Sequence, residues 1–378
     1  MYGQEDRGLF SAFDRVFKDF LMAKLCSGGF AGVCLDWLSS YLEPRIGRVT
    51  VDNVMSDVFE LVDTVFQGTV LGPALWNSFF HDVSGPASYN GDQETLFADD
   101  LSVSKSFDLT VDNAQIFGDM NKTRAEVHAW GRRNRVSFDA NKEHINIIHP
   151  IHGEGSDFKL LGCLVDVKLT MQSAIDQIAC QVRPKIKALL RSRPYYGIVD
   201  MVSQFKTHIW GKIEYHHGAI LHACDSSLAK IELLQSNFVR GLSITREMAF
   251  QDYNLAPLSL RRDIGILGFI HKRVLGECHM AVKALLPFSG VADRWHSKQL
   301  ETHIDNCIVR HTLYWGSLFG LVHVYNRLPE HLISTTSVKE FQSRLTQGAR
   351  DRCSNWDANW MKAYSDCAEL WKTLPFLG

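Results

Sequence analysis

No apolar run in the 378 residues reaches the ~18 that a helical membrane span requires. The first residues, Met1-Tyr2-Gly3-Gln4-Glu5-Asp6, are polar and acidic and lack the apolar core of a secretion signal. The nine cysteines are scattered, odd in number and contain no Cys-x-x-Cys pair. That argues against a disulfide framework or a structural zinc site and for a reducing, intracellular setting, cytoplasmic or nuclear. His208, His216, His217, His222 and Cys224 cluster in sequence, but their spacing fits no common zinc pattern. Repeats and low-complexity tracts are also missing. A hydrophobic content of 46% excludes wholesale disorder. Length alone allows two or three domains at ~100–200 residues each.

What is present is concentrated at one point. Asp99 and Asp100 sit in the middle of Leu96-Phe97-Ala98-Asp99-Asp100-Leu101-Ser102-Val103, with short, apolar, strand-forming flanks. Two adjacent carboxylates held at a hairpin tip repel each other and call for a cation. Magnesium suits them, because hard cations take carboxylate oxygens. A pair of such ions stabilises the attacking and leaving oxygens of a phosphoryl displacement. A solvated Asp-Asp turn is the plainer alternative.

Upstream stands Phe66-Gln67-Gly68-Thr69-Val70-Leu71-Gly72-Pro73, followed by a helix-like apolar run from Ala74 to Phe80. Gly68 and Gly72 allow backbone that a side chain would block, and Pro73 suits a first helical turn. In this order the two segments resemble the palm of non-LTR retrotransposon reverse transcriptases. That palm reads Gln-Gly-(Ser/Thr)-Val-Leu-Gly-Pro and then Phe-Ala-Asp-Asp. Ala12-Phe13-Asp14-Arg15-Val16 resembles the end of the family's first catalytic segment. Trp37 to Leu42 with Arg45 resembles its next helix and strand. Trp130 to Lys142 resembles the segment after the Asp-Asp hairpin. Phe158-Lys159-Leu160-Leu161-Gly162-Cys163 resembles the primer-grip hairpin. Tyr325 to Glu330, with Ser337 and Phe341, resembles the tail of jockey-like elements.

The resemblance implies an RNA-directed DNA polymerase acting on an RNA template and a DNA primer. It implies Asp99 and Asp100 as ligands of Mg2+. Phe13 matches the steric gate under the sugar, and Gln67 and Gly68 would border the nascent base pair. Lys142 would lie near the triphosphate, and Leu161 and Gly162 would place the primer end. One departure matters. The family's first metal-binding aspartate falls at Gly8 here, and Asp6 is two residues too early. A two-residue slip in a strand moves a side chain by about 7 Å, too far for a ligand at about 2.1 Å. The family's fingers and endonuclease segments are not in this sequence. The expectation is an N-terminally truncated, impaired polymerase, or one completed by a longer polyprotein. The alternative is a non-catalytic nucleic-acid-binding or scaffold remnant.

The formal net charge of -2 and the pI near 6.8 argue against strong unaided binding to nucleic acid. They conceal an asymmetry. Residues 1–150 carry 13 basic and 21 acidic groups, and residues 151–378 carry 27 and 21. Arg183, Lys185, Lys187, Arg191, Arg193, Lys206 and Lys212 face only Asp200 over residues 183–212. Such a basic helical stretch suits a phosphate backbone.

Hydrophobic spacing predicts an α+β chain. Val49 and Val51, then Phe59, Leu61 and Val65, read as strands around a turn at Asp52-Asn53. Leu96–Ser104 reads as the Asp-Asp hairpin, and Asp112–Arg133 as a helix. Beyond Gly162 the pattern turns helical, punctuated at Pro184 and Pro194. The expected organisation is an incomplete palm over 1–150, an antiparallel sheet with helices on one face. A thumb-like helical region over 156–252 and a helical C-terminal extension over 257–378 follow it.

Overall fold

A computed structural model describes residues 2–7, 16–61, 65, 68–85, 93–139, 142–290, 295–302 and 312–377. The architecture mixes helices with small antiparallel sheets, as the α+β reading requires. The chain divides into two compact units, Met1–Leu160 and Leu161–Gly378.

Ten strands occur in chain order among the described residues: β1 Tyr2–Arg7, β2 Arg45–Gly47, β3 Thr50–Val51, β4 Val54–Met55, β5 Phe59–Leu61, β6 Gln93–Phe97, β7 Asp100–Ser106, β8 His144–Ile148, β9 Phe158–Leu160 and β10 Cys163–Val165. The first unit is built on a four-stranded sheet in the order β6-β7-β1-β8, with every neighbour antiparallel. Strand alternation places Leu101 and Val103 of β7 on one face, and both are fully buried. They share a core with Leu75, Trp76 and Phe79 of the Gly72–Phe80 helix and Val127 and Trp130 of the Asn113–Asn134 helix. Pro73 starts the first of these helices, where a missing N–H costs nothing. Asp112 caps the second by accepting from the Gln115 amide at 2.8 Å, and Arg135 ends it in left-handed backbone.

The turn expected at Asp52-Asn53 is present, but the strands around it form two nested pairings in place of one between Val49-Val51 and Phe59–Val65. β3 pairs with β4 across Asp52 and Asn53, both at positive φ, and β2 pairs with β5. Two central residues at φ > 0 are what a tight hairpin turn needs, and Asp and Asn tolerate it better than most.

The second unit is mainly helical, and its described residues form two hydrophobic cores. One gathers Ile175, Ile178, Val182, Phe205, Ile231 and Phe238, with the Phe205 and Phe238 rings stacked at 4.3 Å. The other gathers Leu267, Ile270, Leu321, Tyr325, Phe341 and Leu345. The Gln172–Arg191 helix runs straight through Pro184, which was expected to interrupt it. Pro184 is solvent-exposed, and the buried stripe Ile175, Ile178, Val182 and Ile186 continues past it. Burial of that stripe outweighs the ~3 kcal/mol proline penalty. Its entry is fixed by Asp166, whose carboxylate accepts from the amides of Lys168, Thr170 and Met171.

Near the end, Arg352 of the Val338–Ser354 helix has no exposed side-chain surface. It donates to Asp357 at 2.7 Å, Glu369 at 2.5 Å, the Glu369 carbonyl at 3.1 Å and Thr373 Oγ1 at 3.0 Å. Among the described residues, no helix is long and apolar enough to cross a membrane.

Candidate functional site

The paired aspartates lie at a hairpin tip. Phe97 pairs with Asp100 and Leu96 with Leu101, so Ala98 and Asp99 form a two-residue turn between β6 and β7. Both aspartates are partly exposed. Because Leu101 and Val103 point into the helix-covered core, alternation directs Asp100 and Ser102 to the other face. The sheet thus buries one face under helices, and its other face carries the Asp100 carboxylate beside the buried Ser102, with Asp99 in the turn.

Ala98 has φ +54 in this turn. An L-residue there costs roughly 1–2 kcal/mol. The strained carbonyl is held from outside: Trp76 Nε1 donates to Ala98 O at 2.7 Å. Trp76 is itself 1% exposed and stacked on Phe80 at 4.9 Å. The helix that follows the Gly68–Pro73 loop therefore grips the aspartate tip directly. Ala98→Gly is expected to stabilise the chain by about 0.5–1 kcal/mol, the relieved strain less the added unfolded-state freedom. A urea midpoint that rises at unchanged m would confirm it. A midpoint that falls would show that the turn is not strained.

β1 pairs with β7 so that Asp6 stands opposite Ser102 and Arg7 opposite Leu101. The Asp6 backbone is thus two positions along the sheet from Asp100, about 7 Å at strand spacing. Gly8, Phe13, Asp14 and Gln67 lie outside the described residues. Gly68 has φ +85 with open space where a side chain would begin, as the loop reading expects. Gly72 needs no such freedom, because it is a buried residue of the helix. Lys142 is exposed in a short turn, its amide bonded to Asp139 O at 2.9 Å.

Two partly exposed carboxylates match how Mg2+ is usually held, by one or two protein carboxylates with water and phosphate oxygens completing the octahedron. Asp99 and Asp100 fit that donor set in chemistry. Among the described residues, no group of three His, Cys, Asp or Glu side chains is arranged around one point.

A second tip repeats the construction. Leu161 at φ +48 and Gly162 at φ +82 form the turn between β9 and β10. Tyr215 Oη donates to the Leu161 carbonyl. A Cβ on Gly162 would meet the Tyr215 ring at 3.8 Å, an ordinary contact, so the glycine is required by its φ alone.

The basic residues Arg183, Lys185, Lys187 and Arg191 are all exposed on the Gln172–Arg191 helix. Arg193 differs. It donates to Gly241 O at 2.6 Å, Leu242 O at 3.3 Å and Ser243 Oγ at 3.2 Å, closing the carbonyl end of the Asp225–Gly241 helix.

No protein-family profile matches the chain. Curated proteins do. It is 27% identical over 248 residues to a probable RNA-directed DNA polymerase from transposon X-element of Drosophila melanogaster. It is 28% identical over 252 residues to the RNA-directed DNA polymerase from mobile element jockey of the same fly. Each match takes in 61% of this chain and 27% of the relative. A probable RNA-directed DNA polymerase from transposon BS, also of that fly, is 27% identical over 292 residues, 68% of this chain and 30% of the relative. The chain is related to the RNA-directed DNA polymerases of jockey-type retrotransposons. It spans less than a third of the length of these curated relatives.

The roles of two side chains, Trp76 and Tyr215, are not evident from the sequence. Trp76 sits on a helix and Tyr215 in the turn that ends the short Gly211–Glu214 helix, and both grip the carbonyl of a positive-φ residue at a hairpin tip. Trp76 carried a partial signal, as an aromatic one helical turn after Pro73. Tyr215 carried none, since its partner lies 54 residues away.

Proposed function

We propose that this chain is the palm-and-thumb portion of a retrotransposon RNA-directed DNA polymerase, reduced in catalytic power by Gly8. The reaction joins a primer 3′-oxygen to the α-phosphorus of a deoxynucleotide, and pyrophosphate leaves with the electrons of the broken P–O bond. The observation that carries the reading is the Asp99–Asp100 tip, turned away from a helix-covered core, in a chain related to such enzymes. Asp99 and Asp100 would hold Mg2+, which when bound neutralises phosphate charge as it builds up in the transition state. Gly68 would keep the neighbouring backbone open to a flat ligand, and by family resemblance Gln67 would border the nascent base pair and Phe13 would act as the steric gate under the sugar. Lys142 would attract the triphosphate. Leu161 and Gly162 would set the primer end. Arg183, Lys185, Lys187 and Arg191 would follow the backbone of the RNA template and DNA primer. Arg193, committed to helix carbonyls, contributes to that surface through the fold. Segments of a longer polyprotein would complete the enzyme.

The test is primer extension with Mg2+ on an RNA template. The unaltered chain is expected to give little or no product, and Gly8→Asp to raise it. Asp99→Ala should erase that gain. Full extension by the unaltered chain that survives Asp99→Ala would overturn the assignment. Gly8 also favours a second reading, a non-catalytic nucleic-acid-binding remnant. Under that reading Gly8→Asp restores no synthesis while binding of nucleic acid persists.

A further inference from the structure

Tyr195 is 82% exposed and its neighbour Tyr196 is 54% exposed. Val199, four residues beyond Tyr195, is 69% exposed. Tyr195 stands almost wholly clear of the core and Tyr196 is half-buried. The Ile198–Phe205 helix buries Met201, Val202 and Phe205. The turn that carries the tyrosines is not a loose loop. Tyr195 N donates to Ser192 O at 2.9 Å, and Ser192 Oγ donates to Leu189 O at 2.7 Å. Arg193, between Ser192 and the tyrosines, fastens the same turn to the carbonyl end of the Asp225–Gly241 helix through three hydrogen bonds. The rings are therefore presented from backbone already ordered before any ligand arrives, which lowers the entropic cost of binding.

Positive charge outweighs negative around them, although the Asp200 carboxylate lies beside Gly197, next to Tyr196. Arg183, Lys185, Lys187 and Arg191 are exposed on the helix that leads into the turn, and Arg240 is exposed at the end of the helix to which the turn is fastened. The opposing carboxylate within residues 183–212 is Asp200. Exposed aromatics alone would suit a protein partner equally well. Exposed aromatics bordered by exposed cations suit a chain that offers flat π-faces and phosphates together.

We propose that Tyr195 and Tyr196 form a stacking platform for an unpaired base, so that this turn takes single-stranded RNA or DNA rather than duplex. The proposal rests on the nucleic-acid reading given above and adds to it where on the surface an unpaired strand would sit. A base stacked on an aromatic ring gains binding through contact, with no counterion released. A phosphate neutralised by a cation gains binding through counterion release. The two contributions separate in a salt series.

The full chain is titrated into labelled oligo-uridylate, oligo-thymidylate and a blunt duplex, and anisotropy is read across that series. Tyr195→Ala is expected to weaken both single strands by about 5-fold or more, with the salt slope unchanged and duplex binding spared. Tyr195→Trp, which keeps a π-face, should restore affinity. Arg191→Gln should instead flatten the slope by ~0.7 for a lost single-strand phosphate contact. A loss on only one of the two single strands would still support the platform and assign its ligand to RNA or to DNA. If Tyr195→Ala binds every probe as the parent does while Arg191→Gln flattens the slope, the platform falls and the nucleic-acid reading stands. An equal loss on duplex and single strand also overturns the platform. A parent chain that binds none of the probes overturns both.

Discussion

Replacing Arg352 with methionine is expected to cost the second unit about 3–5 kcal/mol, the range for removing one partner from a buried charge cluster. The guanidinium is fully enclosed and serves two carboxylates, a carbonyl and a hydroxyl. Burial alone would make it easier to deprotonate, yet its hydrogen bonds to Asp357 and Glu369 hold its pKa above the usual arginine value. Asp357 is held low by its bond to Arg352 first and the Asn359 amide second. Burial pushes Glu369 up, but bonds from Lys372 and Arg352 outweigh it and its pKa is lowered. For carboxyls depressed on folding, the stabilisation is present above their unfolded pKa near ~4 and is lost as pH falls through the lower folded values. Hydrogen exchange at neutral pH, read in peptides of 338–373, should show faster opening in Arg352→Met. Arg352→Lys keeps the charge but cannot reach four acceptors, so it should fall between. A methionine variant as protected as the parent would mean that apolar packing replaces the cluster without loss.

Trp76→Ala is expected to destabilise the first unit by about 3–5 kcal/mol, the range for truncating a buried tryptophan. The indole is stacked on Phe80 at 4.9 Å and lies 6.0 Å from the Phe79 ring. The more informative variant is Trp76→Phe, which keeps most of the ring and deletes the donor to Ala98 O. That bond is worth about 0.5–1.5 kcal/mol net, so global stability should fall only modestly. Exchange in the peptide spanning Phe97 to Val103 should rise more than exchange in the Asn113–Asn134 helix. Uniform change across both would show that Trp76 fills space without fixing the aspartate tip.

Much of the first unit was legible because its signals are local. A Pro at the start of an apolar helical run, an Asp before a long helix and an Asp-Asp between strand-forming flanks each act within a few residues of themselves. At Asp52-Asn53 the turn was legible for the same reason but the pairing was not, since Phe59–Leu61 pairs with Arg45–Gly47 and Val65 belongs to no strand. Pro184 misled because a local rule met a continuous apolar stripe, and burial of that stripe decided the outcome. Trp76, Tyr215 and Arg193 were not legible in their roles. Their partners are 22, 54 and 48–50 residues distant, and side-chain bonds to backbone carbonyls leave no mark on the acceptor's identity. Any residue has a carbonyl, so nothing at Ala98, Leu161 or Gly241 announces the donor.

Arg193 shows what this means for how such a sequence can drift. Its guanidinium lies at the carbonyl end of a helix, where positive charge is favoured, and it divides its planar fork among three acceptors. Lysine carries the same charge on a single compact head that cannot satisfy all three. An arginine-to-lysine exchange at this position is therefore a structural event, although in a tally of charge it looks silent. Two residues earlier, exposed Arg191 has no such commitment among its hydrogen bonds, and the same exchange there would pass nearly unnoticed. In this basic stretch, charge-conserving substitutions should accumulate freely at Arg191 and be purged at Arg193.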